Sequence, residues 1–239
     1  MSQLTKPLSP QDIWTESTSQ NLPLGTCGEA VNGDLYRYAK FGGSATVAGN
    51  VLQSPATIAN HSSMTPAVAA IGATEVTVTL GATAATANQY AEGYLVTSST
   101  PGHGYALKIK SHPAADASAT LVLTLEDPLI IAITASTTVD MVLNPFAGVI
   151  QSPTTETGAP VGVALYVGTA ASFGWIKTRG IAGVLCQGTI AVGETAVVSN
   201  GTAGAVEAGA DATDAQPLVG RAVSAGADTQ NFGLLLSID

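Results

Sequence analysis

Short runs of Val, Thr, Leu and Ile recur along this chain from residue 29 onward, and each run is bounded by Gly, Pro, Asn, Asp or Ser. Such runs are typical of β-strands, and residues 120–125 and 129–134 are two examples. No segment between the runs shows the 3.6-residue periodicity of an amphipathic helix. We therefore predict an all-β fold of β-sandwich or β-barrel modules with short strands, preceded by an extended N-terminal arm.

Large aromatic side chains are scarce, which limits the kind of core that the chain can build. Hydrophobic residues make up 46% of its 239 residues, but aromatic residues make up only 5%. The core is therefore expected to consist of Val, Leu, Ile and Ala. A chain of this length buries roughly 70–75% of its unfolded surface on folding, so it can form a core without disulfide bonds. We expect the two cysteines, Cys27 and Cys186, to stay separate.

Changes in composition divide the chain into three predicted parts. Residues 1–25 are polar, contain three prolines and predict the extended arm. Residues 26–150 predict a β-rich domain, and residues 151–239 predict a smaller, barrel-like domain. Pro and Thr residues between 145 and 160 indicate a linker or a change of sheet at this boundary.

The predicted C-terminal domain contains a weak internal repeat. A Val-Gly-x-Ala segment at 161–164 precedes Phe173-Gly174, and a similar segment at 219–222 precedes Phe232-Gly233. We therefore predict two similar β-hairpins related by a pseudo-twofold axis, an arrangement that would close a small barrel and remove exposed sheet edges.

Two Asn-Gly pairs, Asn32-Gly33 and Asn200-Gly201, predict further hairpins. This dipeptide is preferred where both residues of a tight turn need a positive φ. Each pair is flanked by residues suited to strands, so we place a hairpin turn at both positions.

The arm carries a helix-start pattern followed by two large apolar residues. Ser9 is a suitable N-cap, Pro10 favours the first helical position, and Asp12 stands three residues after the cap. A large apolar pair in a polar arm usually docks on a surface, so we predict that Ile13 and Trp14 are interface residues. Two surfaces remain open at this stage, the arm's own domain and a neighbouring subunit.

The charge of the chain argues against one large class of partner. Its net charge is −9 and its eight basic residues are scattered, whereas nucleic-acid binding requires clustered Lys and Arg. The N-terminus lacks the apolar core of a signal peptide, and no run of about 18 apolar residues is present. We expect a protein made in a cytoplasm that binds neither nucleic acid nor membrane.

Residues that commonly carry catalysis are few and poorly spaced. Charged residues make up 10% of the chain, against roughly 25% in an average soluble domain. His103 and His112 lie at opposite ends of one predicted strand, so they cannot converge on a metal. The one remaining metal candidate is a weak Ca²⁺ site at Asp211 and Asp214, which lie in a Gly-, Ala- and Thr-rich loop. We predict no catalytic residue, no cofactor and no metal site, and therefore no enzyme.

Several segments of the chain, spread over residues 28–239, resemble virion structural proteins of tailed phages. The closest resemblance is to head decoration (cement) proteins, although many small cement proteins are shorter than this chain. The segments that carry the resemblance are GEAVNGDLYRYAKFGGSA at 28–45, AGNVLQSPA at 48–56, YAEGYLV at 90–96, GYALKIKSH at 104–112, LVLTLEDPL at 121–129 and FGWIKTRG at 173–180.

The resemblance implies a β-rich, non-enzymatic protein on the outer surface of a phage capsid. Its expected partners are the major capsid protein and further copies of itself, in a homotrimer. It would stabilise the shell by bridging capsid subunits, and it brings no catalytic residues to carry over. An alternative is a tail or fibre module that binds host glycans through exposed aromatic side chains such as Tyr94 or Trp175.

Overall fold

The computed structural model describes residues 5–100, 102–209 and 216–239. Strands account for 41% of the chain and helix for 3%, which confirms the predicted all-β class. Both cysteines are free, as expected. The elements, in chain order, are β1 (Lys6–Leu8), α1 (Pro10–Ile13), β2 (Cys27–Ala30), β3 (Leu35–Phe41), β4 (Val51–Gln53), a 3-10 turn (Ala59–His61), β5 (Glu75–Thr79), β6 (Tyr94–Thr97), β7 (Ala106–Ser111), β8 (Thr120–Leu125), β9 (Val139–Val142), β10 (Ala147–Gln151), β11 (Pro160–Val163), β12 (Phe173–Leu185), β13 (Thr195–Val198), β14 (Val206–Ala208), β15 (Leu218–Ala222) and β16 (Asn231–Ser237).

The chain forms two compact units, and their division differs from the predicted one. Unit 2 consists of Thr57–Asn144, and unit 1 combines the chain before it with Pro145–Asp239. The predicted boundary at residue 150 falls inside unit 1, because β3 pairs with β12 along most of its length. Unit 2 is therefore an insertion. Of the two interpretations of residues 145–160, a linker or a change of sheet, the structure has the change of sheet, because β9 belongs to the sheet of unit 2 and β10 to that of unit 1.

Part of the eleven-stranded sheet of unit 1 closes into a barrel. The strand order β3-β10-β4-β11-β12 returns to its start because β12 also pairs with β3. Aliphatic and aromatic side chains fill this ring, namely Ala39, Phe41, Leu52, Val149, Val161, Ala164 and Ile176. Closure hides the polar edges that an open sheet of these strands would expose.

The rest of the sheet continues from β12 through β16, β15 and β13 to β14 and curls around a second core. This core is almost entirely aliphatic and includes Val51, Val163, Val184, Val198, Val219 and Leu234. Both segments of the predicted repeat form antiparallel pairs, with Val163 opposite Lys177 and Arg221 opposite Leu235. The two registers differ by one residue when Phe173 is aligned with Phe232. The two hairpins do not together close the barrel as predicted, because the closed ring contains β11 and β12 but neither β15 nor β16.

A register shift between Lys177 and Arg179 interrupts the pairing of β12 with β3. Before the shift, Ile176 packs into the barrel. After it, Ala182 and Val184 pack into the second core. One extra residue in a strand changes which side chains face a given side, so this bulge lets one strand serve both cores.

The predicted Asn32-Gly33 hairpin exists, but its turn has a different geometry. Only Gly33 has a positive φ, +82°. The Gly33 N–H donates to the carbonyl oxygen of Ala30, and the Ala30 N–H donates to that of Asp34. This pattern is typical of a three-residue loop with a glycine bulge. It leaves Val31, the first loop residue, fully exposed.

The second Asn-Gly pair, Asn200-Gly201, also lies in a hairpin, which joins β13 to β14. Here the positive φ belongs to Gly204. The Ser199 hydroxyl accepts hydrogen bonds from the N–H groups of Gly201 and Thr202 and orders the longer loop.

Unit 2 is a five-stranded sheet in the order β5-β8-β7-β6-β9. The alternation of residues 120–125 predicts β8 with its observed bounds. The predicted strand at 129–134, in contrast, is irregular and contributes only an isolated bridge from Ile133 to Ala69. Leu129 and Ile133 are buried and Ile130 is 66% exposed, as alternation would place them, but bends at residues 130 and 131 prevent a continuous strand.

The ion pair between Arg37 on β3 and Asp239 beyond β16 predicts a stability change in acid. The two side chains form two hydrogen bonds of 2.6 and 2.8 Å, and the hydrogen bond from Arg37 is the main reason that the pKa of Asp239 is lowered. A lowered folded-state pKa stabilises above the unfolded value and is lost as the pH falls through the folded value. We expect this pair to contribute at most about 1 kcal/mol, because it is partly exposed.

The measurement is urea unfolding between about pH 6 and pH 2.5. Asp239→Asn should be less stable than the wild type at pH 6, and the difference should shrink as the pH falls through the lowered folded-state pKa of Asp239. Glu29→Gln, which alters an exposed carboxylate without an ion pair among the described residues, is the control. A pH-independent difference between wild type and Asp239→Asn would contradict the assignment.

Candidate functional site

An apolar groove of about 380 Å³ lies beside the N-terminal arm in unit 1. We call it the arm groove. The arm, the β2–β3 hairpin, β12 and the segment after β11 all contribute to its wall. Its lining residues are Leu8, Pro10, Ile13, Trp14, Ala30, Val31, Asn32, Tyr36, Leu165 and Lys177.

The arm forms its part of the groove because its sequence fixes a helical turn. The Ser9 hydroxyl accepts from the Asp12 N–H at 3.2 Å, and the Asp12 carboxylate accepts from the Ser9 N–H at 2.9 Å. This capping box confirms the predicted roles of Ser9, Pro10 and Asp12. The hydrogen bond from the Ser9 hydroxyl also lowers the pKa of Asp12.

The arm lies against its own unit rather than projecting from it. β1 pairs in parallel with β2, and Ser17 forms a bridge with Phe173. Leu8 fits over Gly28, where an added Cβ would come within 2.4 Å of the leucine side chain. Of the two surfaces left open by the sequence, the described arm residues occupy the one on their own domain.

The two predicted interface residues, Ile13 and Trp14, have different environments. Ile13 is 7% exposed and belongs to a cluster with Leu8, Tyr36 and Trp175, so it anchors the arm. Trp14 is 58% exposed, with its ring 6.0 Å from that of Tyr166. Trp14 is therefore open to a partner and Ile13 is not.

A buried ion pair lies at the floor of the arm groove. Lys177 Nζ donates to Asp34 Oδ2 at 2.5 Å and to the carbonyl oxygen of Ile181 at 2.7 Å. The ammonium also lies 5.7 Å from the centre of the Tyr36 ring. Burial, followed by the nearby Asp34 carboxylate, raises the pKa of Tyr36 to about 12, so its hydroxyl stays neutral at physiological pH. The positive charge of Lys177 at the floor of the arm groove is thus neutralised by the carboxylate of Asp34.

The histidines do not form a site among the described residues. His61 and His112 are buried on either side of Tyr90 in unit 2, where His61 Nδ1 lies 2.5 Å from the Tyr90 hydroxyl and His112 Nε2 accepts from the Tyr90 N–H. His103 is exposed in a turn. No group of three or more His, Cys, Asp or Glu side chains in the described ranges could hold a metal. The loop with Asp211 and Asp214 lies outside those ranges.

The aromatic residues considered for sugar binding do not form a common platform. Trp175 is only 4% exposed because it packs under the arm in unit 1. Tyr94 is 38% exposed and lies in unit 2 on β6, opposite Lys108 and Val142. The expectation that Trp175 is exposed is therefore wrong, and Tyr94 alone remains accessible.

Several residues of the arm groove were not predicted from the sequence. Leu8, Leu165 and Lys177 come from distant segments, and only tertiary pairing brings them together. Val31 offered no local signal, because a two-residue Asn-Gly turn would place it in the strand, and only the observed three-residue loop exposes it.

Comparisons with known proteins add no relative. The chain matches no family profile, no curated protein and no solved structure. No helix in the described part of the chain is long and apolar enough to span a membrane.

The buried ion pair predicts an asymmetric response to mutation. Asp34→Ala leaves the Lys177 ammonium, which is 8% exposed, without its carboxylate. We expect a loss of about 3 kcal/mol in the free energy of unfolding, measured by urea denaturation. Adding Lys177→Met should recover most of this loss, since no charge then remains buried. Asp239→Ala, which breaks the more exposed pair, should cost less than about 1 kcal/mol. Equal losses for Asp34→Ala and Asp239→Ala would contradict a buried charge pair.

Proposed function

We propose that this protein is a non-enzymatic structural component of a tailed-phage virion, a decoration protein that binds the outer surface of the capsid. It stabilises the shell by bridging major capsid subunits and acts as a homotrimer. The class of virion comes from the sequence resemblance at 28–45 and the other segments. The role in docking rests on the arm groove.

The observation that carries the proposal is the exposed apolar rim of the arm groove. Trp14 is 58% exposed and Val31 is fully exposed, and both belong to a surface whose deeper residues are packed and fixed. Tryptophan is one of the residue types enriched among the few side chains that dominate the binding energy of an interface. A short apolar segment of a capsid subunit is the occupant that we assign to this groove.

The rigidity of the groove suits a protein that must reinforce a shell. The capping box holds the helical turn, Leu8 and Ile13 anchor the arm, and the Lys177–Asp34 pair ties β12 to the β2–β3 hairpin. A preformed surface loses little conformational entropy on binding. Several copies joined in one oligomer would then bind a capsid with high avidity even if each contact is modest.

We keep glycan binding as the alternative function because Tyr94 is exposed on β6 beside Lys108. Tyr94 and Tyr105 are each only 38% exposed, so each offers a small stacking surface. The groove has a larger apolar area and two exposed apolar side chains, so the docking function is better supported.

The test is co-sedimentation of the purified protein with empty heads of the phage that encodes it. Trp14→Ala should weaken head binding at least about tenfold, because it removes the largest exposed apolar side chain of the groove. Tyr105→Ala, which removes an aromatic residue that is 38% exposed in unit 2, is the matched control and should bind like the wild type. A point variant is preferable to deletion of residues 2–22, since deletion would also uncover Trp175.

Two results would overturn the proposal. The first is failure of the wild-type protein to bind heads. The second is equal binding by wild type and Trp14→Ala. Saturable binding to a glycan array, lost in Tyr94→Ala, would instead establish the alternative.

A further inference from the structure

The convex face of β12, β16 and β15, opposite the second core of unit 1, carries a bare apolar strip. Ile181 pairs with Leu235, and Leu235 pairs with Arg221, so the three side chains form a row on one face. Ile181 is 58% exposed and Leu235 is 44% exposed. The next pair, Gly183 and Gly233, has no side chains, and a Cβ built on Gly183 would meet nothing within 4 Å.

Two arginines flank this strip, and neither forms an ion pair among the described residues. Arg179 lies on β12 two residues before Ile181, and Arg221 donates a hydrogen bond to the carbonyl oxygen of Gly193. Both guanidinium groups are thus available on a chain with a net charge of −9. We call Arg179, Ile181, Arg221 and Leu235 the basic face. Its charge and apolar content fit a partner that combines carboxylates with apolar side chains.

Unit 2 displays such a combination. Glu126 and Asp127 are exposed in the turn after β8 and have no ion pair among the described residues. Ile130, three residues further on, is 66% exposed. A neighbouring loop brings Ile71, 67% exposed, to the same region, because the Gly72 N–H donates to the carbonyl oxygen of Leu129. We call Glu126, Asp127, Ile130 and Ile71 the acidic loops.

We propose that the basic face of one copy binds the acidic loops of the next copy. The contact is head to tail, since two different surfaces meet, and repetition of such a contact produces a closed ring or a filament. The inference does not depend on a capsid, and it supplies the surfaces for the self-association that the proposed function includes. Opposite charges set the pairing, and the apolar side chains at its centre lose water.

The size of the two surfaces sets the expected strength. Each has only a few exposed apolar side chains, so one contact falls at or below the roughly 800 Å² per partner of a standard interface. We expect association at micromolar concentration, visible as a mass that rises over a dilution series from about 1 to about 500 μM.

The first experiment is light scattering after size exclusion on the full chain and two double charge reversals. The face reversal is Arg179→Glu with Arg221→Glu, and the loop reversal is Glu126→Lys with Asp127→Lys. Each should weaken association at least about tenfold, because like charges then meet across the contact. If net charge alone controlled association, the affinity of the two variants would change in opposite directions, because the face reversal makes the chain more negative and the loop reversal makes it less negative.

The decisive variant combines all four substitutions in one chain. It restores opposite charges at every contact and should associate like the wild type. The matched control is Lys6→Glu with Lys40→Glu, which reverses two exposed bases that belong to neither surface and changes the net charge as the face reversal does. This control should associate normally. Circular dichroism and thermal unfolding verify that each variant is folded.

The proposal is overturned if the wild type stays monomeric across the series. It is also overturned if the four-substitution variant fails to regain association, or if the control loses as much as the face reversal. Because the assay contains no heads, its failure is separate from a failure of head binding by Trp14→Ala.

Discussion

Unit 1 depends on the pairing of one long strand, β12, with two different partners. Its first half pairs with β3 and closes the barrel, and its second half pairs with β16 and begins the second curl of the sheet. The bulge after Lys177 allows both pairings, because it exchanges the faces of the sheet to which alternate side chains point and does not end the strand. Side chains of β12 therefore enter three hydrophobic clusters, through Trp175, Ile176 and Val184. Loss of this register would separate the arm, the barrel and the second core at once.

The same strand explains why the arm groove is both apolar and rigid. Trp175 supplies the surface against which Leu8 packs, and Lys177 fixes the β2–β3 hairpin through Asp34. Between these two contacts the arm has little freedom. Binding surfaces are commonly formed by loops on a fixed scaffold, and here the exposed Trp14 and Val31 are held by such a scaffold.

Local patterns in the sequence were sufficient for features that depend on neighbouring residues. The alternation at 120–125 predicted β8, and Ser9, Pro10 and Asp12 predicted α1. The division into units was not predictable in this way, because the partners of β10 lie about a hundred residues earlier in the chain and only tertiary pairing defines them. Composition alone also misplaced a strand at 129–134, where bends at residues 130 and 131 prevent a continuous strand.

The candidate site shows the same limit. The sequence singled out Ile13 and Trp14 as a pair, but their exposures differ because the helical turn points one inward and leaves the other at its end. The remaining groove residues belong to segments that have no common pattern. Burial of Trp175 could not be foreseen either, since it requires the arm to fold back over β12.

The insertion of unit 2 between β4 and β10 has a consequence for the order of folding. β4 and β10 pair with each other in antiparallel register, Gln53 opposite Ile150, so the two ends of the inserted segment must meet before the barrel can close. Closing a long unstructured loop carries an entropic cost that delays folding. Strands of unit 2 pair with partners fewer than 50 residues away, from Tyr94 opposite Lys108 to Glu75 opposite Thr124, which is about half the separation that β10 spans. Early folding of unit 2 would shorten the effective loop and act as an internal nucleus for the barrel around it.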